Sequence, residues 1–367
     1  MFSFANIYKA YIACRKQKRN TINQLEFEAD LLENLWNLQS NLTLRTYKIG
    51  KSLCFLTSSP KLREVFAADF RDRVVHHILV QELEPFYEKK FIHDVYNNRK
   101  GRGTHSAVKQ AQKYMYRTRG GYYLQLDIKG FFYNLDKNIL FKKLFHALKN
   151  SDLKNRDEVL YLSNKIIYHN PTKNYVFKGD KSKLNLLPEH KTLFKLPSHK
   201  GLPIGNLTSQ FFANVYMNDF DNFVKRVLKV KSYIRYVDDC VLFDTSKQKL
   251  QELKFKISEY LKNELGLELR EDTKLKKHSE GLDFLGYIIR ENYILVRKRV
   301  VNNYKYKKAK YLDKYEQQKG TMGLEEIKQF LSVQASFVGH IKHANSYNLM
   351  QKVGVIDEKN PFDYDRS

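Results

Sequence analysis

The spacing of apolar side chains differs between successive stretches of the early chain, and each spacing predicts a different kind of element. Residues 1–46 carry large apolar side chains at helical spacing, which predicts a helical N-terminal extension. Residues 47–66 hold two short apolar runs around turn-forming residues 57–60, which predicts a basic β-hairpin. Residues 69–83 return to helical spacing directly after Asp69, a residue type that commonly caps helix N-termini.

Further along the chain, strand and helix patterns alternate. A buried strand that ends on Asp127 is predicted by four apolar residues, Tyr122, Tyr123, Leu124 and Leu126. Residues 137–165 show helical spacing, whereas residues 166–200 are polar, basic and interrupted by prolines. The latter pattern predicts a long loop or small hairpin, to which we assign no role. Residues 201–221 read as a Gly/Pro turn that runs into a helix, where glycine allows a ligand to approach the backbone closely.

The most unusual pattern is an acidic pair, Asp238-Asp239, between two apolar and β-branched runs. The runs predict two strands, so the pair falls on the tight connection of a hairpin. Residues 247–265 predict an amphipathic helix, and residues 268–274 and 282–290 predict two strand-like pieces. Residues 296–319 and 324–350 together predict a basic helical region.

Composition favours a folded protein that binds a polyanion. The 367 residues are 42% hydrophobic, and 65 Lys and Arg against 40 Asp and Glu give a formal net charge of +25. This excess favours nucleic acid over membrane as the partner. Three widely spaced cysteines argue against a disulfide framework and a zinc site. With no signal-peptide pattern at the start and no long apolar run, we expect a cytoplasmic protein that does not bind membranes.

Three carboxylates are candidates for phosphoryl-transfer chemistry. Asp238 and Asp239 repel each other unless a cation neutralises them, and Asp127 at a strand end is costly to bury without a partner. For the pair alone, an ordinary acidic turn is the alternative. Together the three predict a site for two Mg²⁺ ions about 4 Å apart, with Mn²⁺ as an alternative. Lys61 and Arg63 can supply the cations that a triphosphate needs.

The basic region near the end of the chain combines charge with aromatic side chains. Residues 296–319 hold nine Lys and Arg against two acidic residues, with four tyrosines interleaved, Tyr304, Tyr306, Tyr311 and Tyr315. This combination favours a nucleic-acid surface over a merely solvated helix face.

Four segments resemble, in chain order, motifs of reverse transcriptases. They read KLREVFAADFRDR at 61–73, YLQLDIKGFF at 123–132, YVDD at 236–239 and GLDFLGY at 281–287. The resemblance runs over nearly the full length. It implies an RNA-directed DNA polymerase that makes cDNA from an RNA template and primer with dNTPs.

The same resemblance implies an α+β fold of the right-hand polymerase type. It implies an N-terminal extension at residues 1–46 and fingers at 47–120. A palm follows at 121–290, which includes some fingers elements and the 166–200 loop. A helical basic thumb with a C-terminal tail takes residues 291–367.

Two further segments narrow the resemblance. IGNLTSQ at 204–210, where most reverse transcriptases carry Gln-Gly before Ser-Pro, and GHIKHANSY at 339–347 resemble bacterial and phage diversity-generating retroelements of the group II intron-like lineage. That family implies error-prone synthesis opposite template adenines, and a small helical accessory protein or structured non-coding RNA as partner. Related antiphage-defence enzymes, which make a defence-related or repetitive DNA, stay open as an alternative. An RNA-binding scaffold without catalysis is the alternative of another class, which the three intact carboxylates disfavour.

The resemblance also implies a role for each carboxylate. Asp127 and Asp238 resemble the principal metal ligands, Asp239 resembles the supporting one, and the Ile128 carbonyl can also reach metal. The proton donor to pyrophosphate is one of three neighbouring lysines, Lys274 in the first place and otherwise Lys276 or Lys277.

Five residues are implied to contact the incoming nucleotide. Arg63 resembles the triphosphate-binding arginine, with Lys61 as a second cation, and Phe132 resembles the gate that crowds a ribose 2′-hydroxyl. Gly205 would line the nucleotide pocket beside Ile204. An aliphatic side chain at 204 gives up a polar contact to the nucleotide or template base, which should loosen discrimination.

Overall fold

The protein is described from a computed structural model that covers residues 1–16, 21–58, 61–318 and 321–355. The predicted turn residues Ser59 and Pro60, and residues 356–367 of the predicted C-terminal tail, lie outside these described residues. No helix in the described part is both long and apolar enough to cross a membrane.

The described residues form helices throughout and three small β-sheets. The helices are α1 (Phe4–Arg15), α2 (Ile22–Ala29), α3 (Leu31–Thr43), α4 (Phe70–Glu88), α5 (Thr104–Arg117), α6 (Phe131–Asn134), α7 (Lys137–Lys149), α8 (Arg156–Tyr168), α9 (Leu207–Asn222), α10 (Lys247–Leu265), α11 (Lys298–Gln317), α12 (Leu324–Ile341) and α13 (Tyr347–Lys352). The strands are β1 (Ser52–Thr57), β2 (Arg63–Ala67), β3 (Tyr122–Asp127), β4 (Tyr175–Lys178), β5 (Tyr233–Tyr236), β6 (Asp239–Asp244), β7 (Lys274–Lys277), β8 (Leu282–Phe284), β9 (Tyr287–Ile289) and β10 (Ile294–Val296).

The central sheet has strand order β5-β6-β3-β7 and is antiparallel throughout. Because successive side chains of a strand face opposite sides, its two faces enter two different cores. Leu124 and Leu242 join the large core that contains α9 and α10. Tyr123 and Phe243 join a second core with α5 and the β10-β9-β8 sheet. Burial on both faces fixes the position of the sheet end that carries the acidic residues.

A second sheet, with strand order β2-β1-β4, contains the predicted basic hairpin. Strands β1 and β2 pair antiparallel, as predicted, and β4 pairs parallel to β1 with Ser52 opposite Tyr175. Strand β4 lies within residues 166–200, so this segment is more than a loop. Its aromatic residues pack with Phe66 and the buried Cys54, which gives the segment a structural role that the sequence pattern did not assign.

The predicted helices are present, but one of them is divided in two. Asp69 caps α4 as predicted, because its side chain accepts the N–H of Arg71 at 3.0 Å. The single helix predicted for 137–165 is instead two helices, α7 and α8. The chain turns between them at Ser151, whose N–H and hydroxyl both bond the carbonyl of Leu148.

The strand-like pieces late in the chain are shorter than predicted. Of residues 268–274, only Lys274 belongs to a strand, and Leu269 forms an isolated bridge to Ile128. Residues 282–290 form two strands, β8 and β9, rather than one.

The last three helices pack around a stacked aromatic pair. Tyr304 of α11 lies parallel to Phe337 of α12, with ring centroids 3.9 Å apart. Tyr304 is buried, so it cannot contribute to the nucleic-acid surface predicted for this region. Tyr306 and Tyr315 are exposed and keep that prediction open, whereas Tyr311 packs against α12.

Candidate active site

Asp127 and the acidic pair meet at one end of the central sheet. Asp127 is the last residue of β3 and lies opposite Asp239, the first residue of β6. Asp238 occupies the turn between β5 and β6. All three line one cavity of about 530 Å³. The structure thus brings together the three carboxylates that the sequence singled out.

The same cavity collects most of the residues predicted to contact a nucleotide. Its lining includes Lys61, Arg63, Ile128, Phe132 and Ile204. Phe132 is half-buried in α6, where its ring packs edge-on against the buried Phe131 with centroids 5.4 Å apart. The two basic residues are exposed at the cavity rim, so the site has an acidic floor and a basic edge.

Gly205 and Lys274 are not among the described residues that line the cavity. Gly205 has a φ of 120°, and a Cβ there would lie 2.7 Å from Val65 Cγ1 and 3.2 Å from the Phe66 carbonyl oxygen. The glycine is therefore required for close packing against β2. Lys274 is exposed on β7 opposite Gln125, and from outside the cavity its charge partly opposes the rise that burial causes in the pKa of Asp239.

The turn that carries Asp238 has an unusual backbone. Val237 adopts a φ of 60°, which costs a β-branched residue about 1–3 kcal/mol. Two hydrogen bonds hold it there: its N–H donates to Asn97 Oδ1 at 2.9 Å, and its carbonyl accepts from Arg235 Nη1 at 2.9 Å. The conformation of the turn is therefore imposed by side chains outside it.

Those two side chains belong to a buried polar network. Arg235 is fully buried and pairs through two bonds, of 2.8 and 2.6 Å, with the equally buried Asp221 of α9. Asn214 accepts from Arg235 at 3.2 Å and from Asn97 at 2.9 Å, and donates to the Asn97 carbonyl at 2.9 Å. Because breaking a buried, hydrogen-bonded ion pair is strongly destabilising, this network is a rigid support for Asp238.

The carboxylates of the site are difficult to ionise. Burial raises the pKa of Asp238 to about 6 and that of Asp239 to about 7, and the charge of Asp127 adds to both shifts. Burial also raises the pKa of Asp127, which the charge of Arg270 opposes. Such groups are stabilised in their ionised form by a nearby cation.

The donor set fits a hard divalent cation such as Mg²⁺, which prefers carboxylate and carbonyl oxygens. Asp127, Asp238, Asp239 and the Ile128 carbonyl are the donors expected to hold it. In this structure Arg270 Nε lies 3.5 Å from Asp127 Oδ2, and Gln125 Nε2 donates to both oxygens of Asp239, at 3.1 and 3.4 Å. With these contacts in place, no three His, Cys, Asp or Glu side chains of the described residues are arranged as a metal-binding group, so the fit to Mg²⁺ lies in the donor chemistry and not in the present side-chain geometry.

Two cationic residues of the cavity were missed by the sequence interpretation. Arg270 and Lys191 both line it, from regions far apart in the chain. Arg270 lies within the predicted strand-like piece 268–274, and Lys191 lies in the segment without an assigned role, so neither had a local signal. Arg235 did have a local signal, because a charged residue within an otherwise apolar strand needs a buried partner.

Comparison with known proteins agrees with this geometry. The family model described as reverse transcriptase (RNA-dependent DNA polymerase) matches residues 57–289, more than half of the chain. The chain belongs to this family. The predicted α+β right-hand polymerase fold and the predicted enzyme class, an RNA-directed DNA polymerase, are thereby confirmed.

The relatives are distant. Protein YkfC of Escherichia coli (strain K12) is 22% identical over 328 residues, which cover 79% of this chain and 80% of that protein. Group II intron-encoded protein LtrA of Lactococcus lactis subsp. cremoris is 24% identical over 296 residues, 64% of this chain and 45% of LtrA, so the chain spans less than half of that relative. Among solved structures, apo telomerase from Candida Tropicalis aligns with a TM-score of 0.49 at 12% identity, covering 90% of this chain and 66% of that one.

Proposed function

We propose that this reverse transcriptase copies an RNA template into cDNA at the cavity lined by Asp127, Asp238 and Asp239. The observation that carries the proposal is the meeting of three half-buried carboxylates with a basic rim in one cavity of about 530 Å³. When bound there, Mg²⁺ ions would supply Lewis-acid activation of the primer 3′-hydroxyl and charge neutralisation of the triphosphate.

The chain's own residues have three roles in this proposal. Asp127 and Asp238 hold the cations, and Asp239 supports them from the neighbouring strand position. Arg63 and Lys61 bind the triphosphate from the rim, because charge-assisted hydrogen bonds to phosphate are stronger than neutral ones. Phe132 blocks the space that a ribose 2′-hydroxyl would take. Lys274, exposed outside the cavity, stays a prediction as proton donor.

The basic helices beyond the palm are proposed to hold the template–primer duplex. Helix α11 exposes Tyr306 and Tyr315 among lysines and an arginine. Lysines neutralise backbone phosphates and aromatic rings stack on bases, so this helix face suits RNA and DNA strands without a fixed sequence. Division into extension, fingers, palm and thumb at residues 46, 120 and 290 is part of the same proposal.

The experiment that tests polymerase activity is dNTP incorporation on a primed RNA with Mg²⁺. Asp238→Asn should lower incorporation by about 10²–10³-fold, because a neutral amide cannot replace the carboxylate charge. Asp157→Asn on α8, whose side chain is 77% exposed, is the matched control and should behave as wild type. Equal activity of both variants would overturn the metal assignment. No incorporation by wild type on any primed RNA, with or without an accessory protein, would favour the scaffold reading.

For the finer function, we propose error-prone synthesis opposite template adenines in a diversity-generating retroelement, with an accessory helical protein or structured RNA as partner. Support comes from the IGNLTSQ segment at 204–210 and from the position of Ile204. Its side chain lines the cavity, while its carbonyl accepts the Phe66 N–H at 2.9 Å, which fixes it against β2. An aliphatic group at this place offers no hydrogen bond to reject a mismatched pair.

Sequencing of the cDNA tests this finer function. We expect errors concentrated at template adenines in wild type and fewer of them in Ile204→Gln, which restores a polar group. Val176→Gln on β4, an exposed aliphatic position, controls for the substitution type. Errors spread evenly over the four bases would contradict the proposal, and a repetitive or untemplated product would favour a defence enzyme.

A further inference from the structure

The segment of residues 166–200 is built into the fingers sheet and reaches the active-site cavity. Strand β4 pairs with β1 over Ser52 to Phe55, and the ring of Phe194 packs on Phe66, with centroids 5.7 Å apart. The carbonyl of His190 lies 3.9 Å from where a Cβ of Gly130 would be. The segment therefore passes directly over the turn that follows Asp127.

One buried carboxylate attaches this segment to the basic strand β2. Glu64 is 1% exposed and accepts the hydroxyl of Thr192 at 2.7 Å and the N–H of Leu193. Thr192 and Leu193 are themselves buried. Since neighbouring residues of a strand point to opposite faces, β2 directs Arg63 toward the cavity and Glu64 toward the segment.

Lys191 immediately precedes this attachment and lines the cavity with Asp127, Asp238 and Arg63. It is exposed, and within the described residues its ammonium group makes no ion pair or hydrogen bond. The other missed cation, Arg270, is engaged with Asp127 and Asp272. Lys191 is therefore a basic group held at the cavity and available for an anionic ligand.

We propose that Lys191 binds the triphosphate of the incoming dNTP opposite Arg63, and that Glu64 is the positioning residue that holds Lys191 there. The proposal rests on the polymerase function proposed above. A triphosphate carries several negative charges at neutral pH, so cations on two sides of it would neutralise more of that charge than one side alone. In this arrangement β2 supplies one cation directly and holds the other through Thr192 and Leu193.

The test compares Lys191→Ala and Lys191→Arg with Lys195→Ala. Lys195 is exposed in the same segment but does not line the cavity, so it reports the effect of losing a charge nearby. With a fixed primed RNA, Lys191→Ala should raise KM for dNTP about tenfold with little change in kcat, as expected for one charge-assisted bond. Lys191→Arg should restore most of the affinity, and Lys195→Ala should match wild type.

A second measurement does not depend on catalysis. The affinity for dTTP is measured in a complex with a dideoxy-terminated primer on an RNA template, with Ca²⁺ in place of Mg²⁺. Lys191→Ala should weaken dTTP binding about tenfold and leave the affinity for the primed RNA unchanged. Weaker binding of the primed RNA with unchanged dTTP binding would show that Lys191 contacts the nucleic-acid backbone, which would overturn the proposal. A wild type that binds dTTP in this complex but does not extend a primer with a free 3′-hydroxyl in Mg²⁺ would count against the polymerase function alone.

The positioning role of Glu64 is tested through its partner. Thr192→Val removes the hydroxyl donor but keeps the side-chain shape, so the chain should fold normally. We expect a rise of about threefold in KM for dNTP, unchanged kcat and no additional effect when it is combined with Lys191→Ala. Additive effects of the two substitutions would show that the attachment does not act through Lys191.

Discussion

The side-chain oxygen of Asn97 accepts the backbone N–H of Val237 at 2.9 Å and so holds the turn that presents Asp238. Asn97 is buried, and its own amide group donates to Asn214 on α9. A residue of the loop between α4 and α5 thus fixes Val237, 140 residues further along the chain, and with it the position of Asp238, a contact that the sequence around Asp238 does not reveal.

Asn97→Ala should lower kcat by about tenfold to 10²-fold, because small displacements of a catalytic group have effects of this size. KM for dNTP should change little, since Asn97 does not line the cavity. Asn138→Ala, which removes only an exposed bond to Tyr168, serves as the control. Steady-state kinetics on primed RNA measure both constants. A rise in KM with unchanged kcat would contradict the positioning role.

Removal of Mg²⁺ should have a pH-dependent effect on thermal stability. Burial raises the pKa of Asp238 to about 6 and that of Asp239 to about 7, so the metal-free folded protein retains protons that the unfolded chain has released. The higher pKa values of Asp238 and Asp239 in the folded state stabilise the metal-free protein fully below about pH 4. This stabilisation is lost as pH rises through 6 to 7. Mg²⁺ binds the ionised groups, so the gain in Tm on adding it should be larger at about pH 8 than at about pH 5.5.

Melting curves with Mg²⁺ and with EDTA at both pH values measure this gain. Asp238→Asn should abolish most of it, whereas Asp157→Asn should retain it. A gain of equal size at both pH values would show that the cation binds elsewhere.

Arg270→Ala should increase the affinity for Mg²⁺ in the absence of nucleotide. The guanidinium lies 3.5 Å from Asp127 Oδ2 and competes with a cation for that carboxylate. Because the pair is partly exposed, we expect a gain of about two- to fivefold. The Mg²⁺ concentration that gives half the rise in Tm measures it. Arg156→Ala, on an exposed pair with Asp157, should leave the midpoint unchanged, and a weaker affinity in Arg270→Ala would refute the competition.

Phe132→Ala should increase incorporation of ribonucleotides. Phe132 lines the cavity and is supported by the buried Phe131, so its ring is held in place for the proposed exclusion of a ribose 2′-hydroxyl. We expect the ratio of kcat/KM for dNTP to that for rNTP to fall at least about tenfold. Phe145→Ala, at an exposed position on α7, is the matched control. An unchanged ratio would remove Phe132 from this role.

The sequence predicted the site residues best where a charged residue interrupts an apolar run of its neighbours. Asp127 stands out at the end of an apolar strand, and Asp238-Asp239 stand out between two of them. Arg270 and Lys191 do not stand out, because many exposed lysines and arginines occur in this chain and only the folded backbone selects these two. The stacking of Tyr304 on Phe337 was missed for a related reason: a tyrosine among lysines has the same local pattern whether it faces solvent or another helix.

The pairing of β4 with β1 also has a consequence for how the protein is made. Residues 1–120 leave the ribosome with β1 lacking its parallel neighbour and with Glu64 lacking Thr192 and Leu193. The sheet that carries Arg63 is therefore completed only after β3 has been synthesised, through contacts more than a hundred residues apart in sequence. We therefore expect a fragment ending near residue 120 to fail to form a stable sheet.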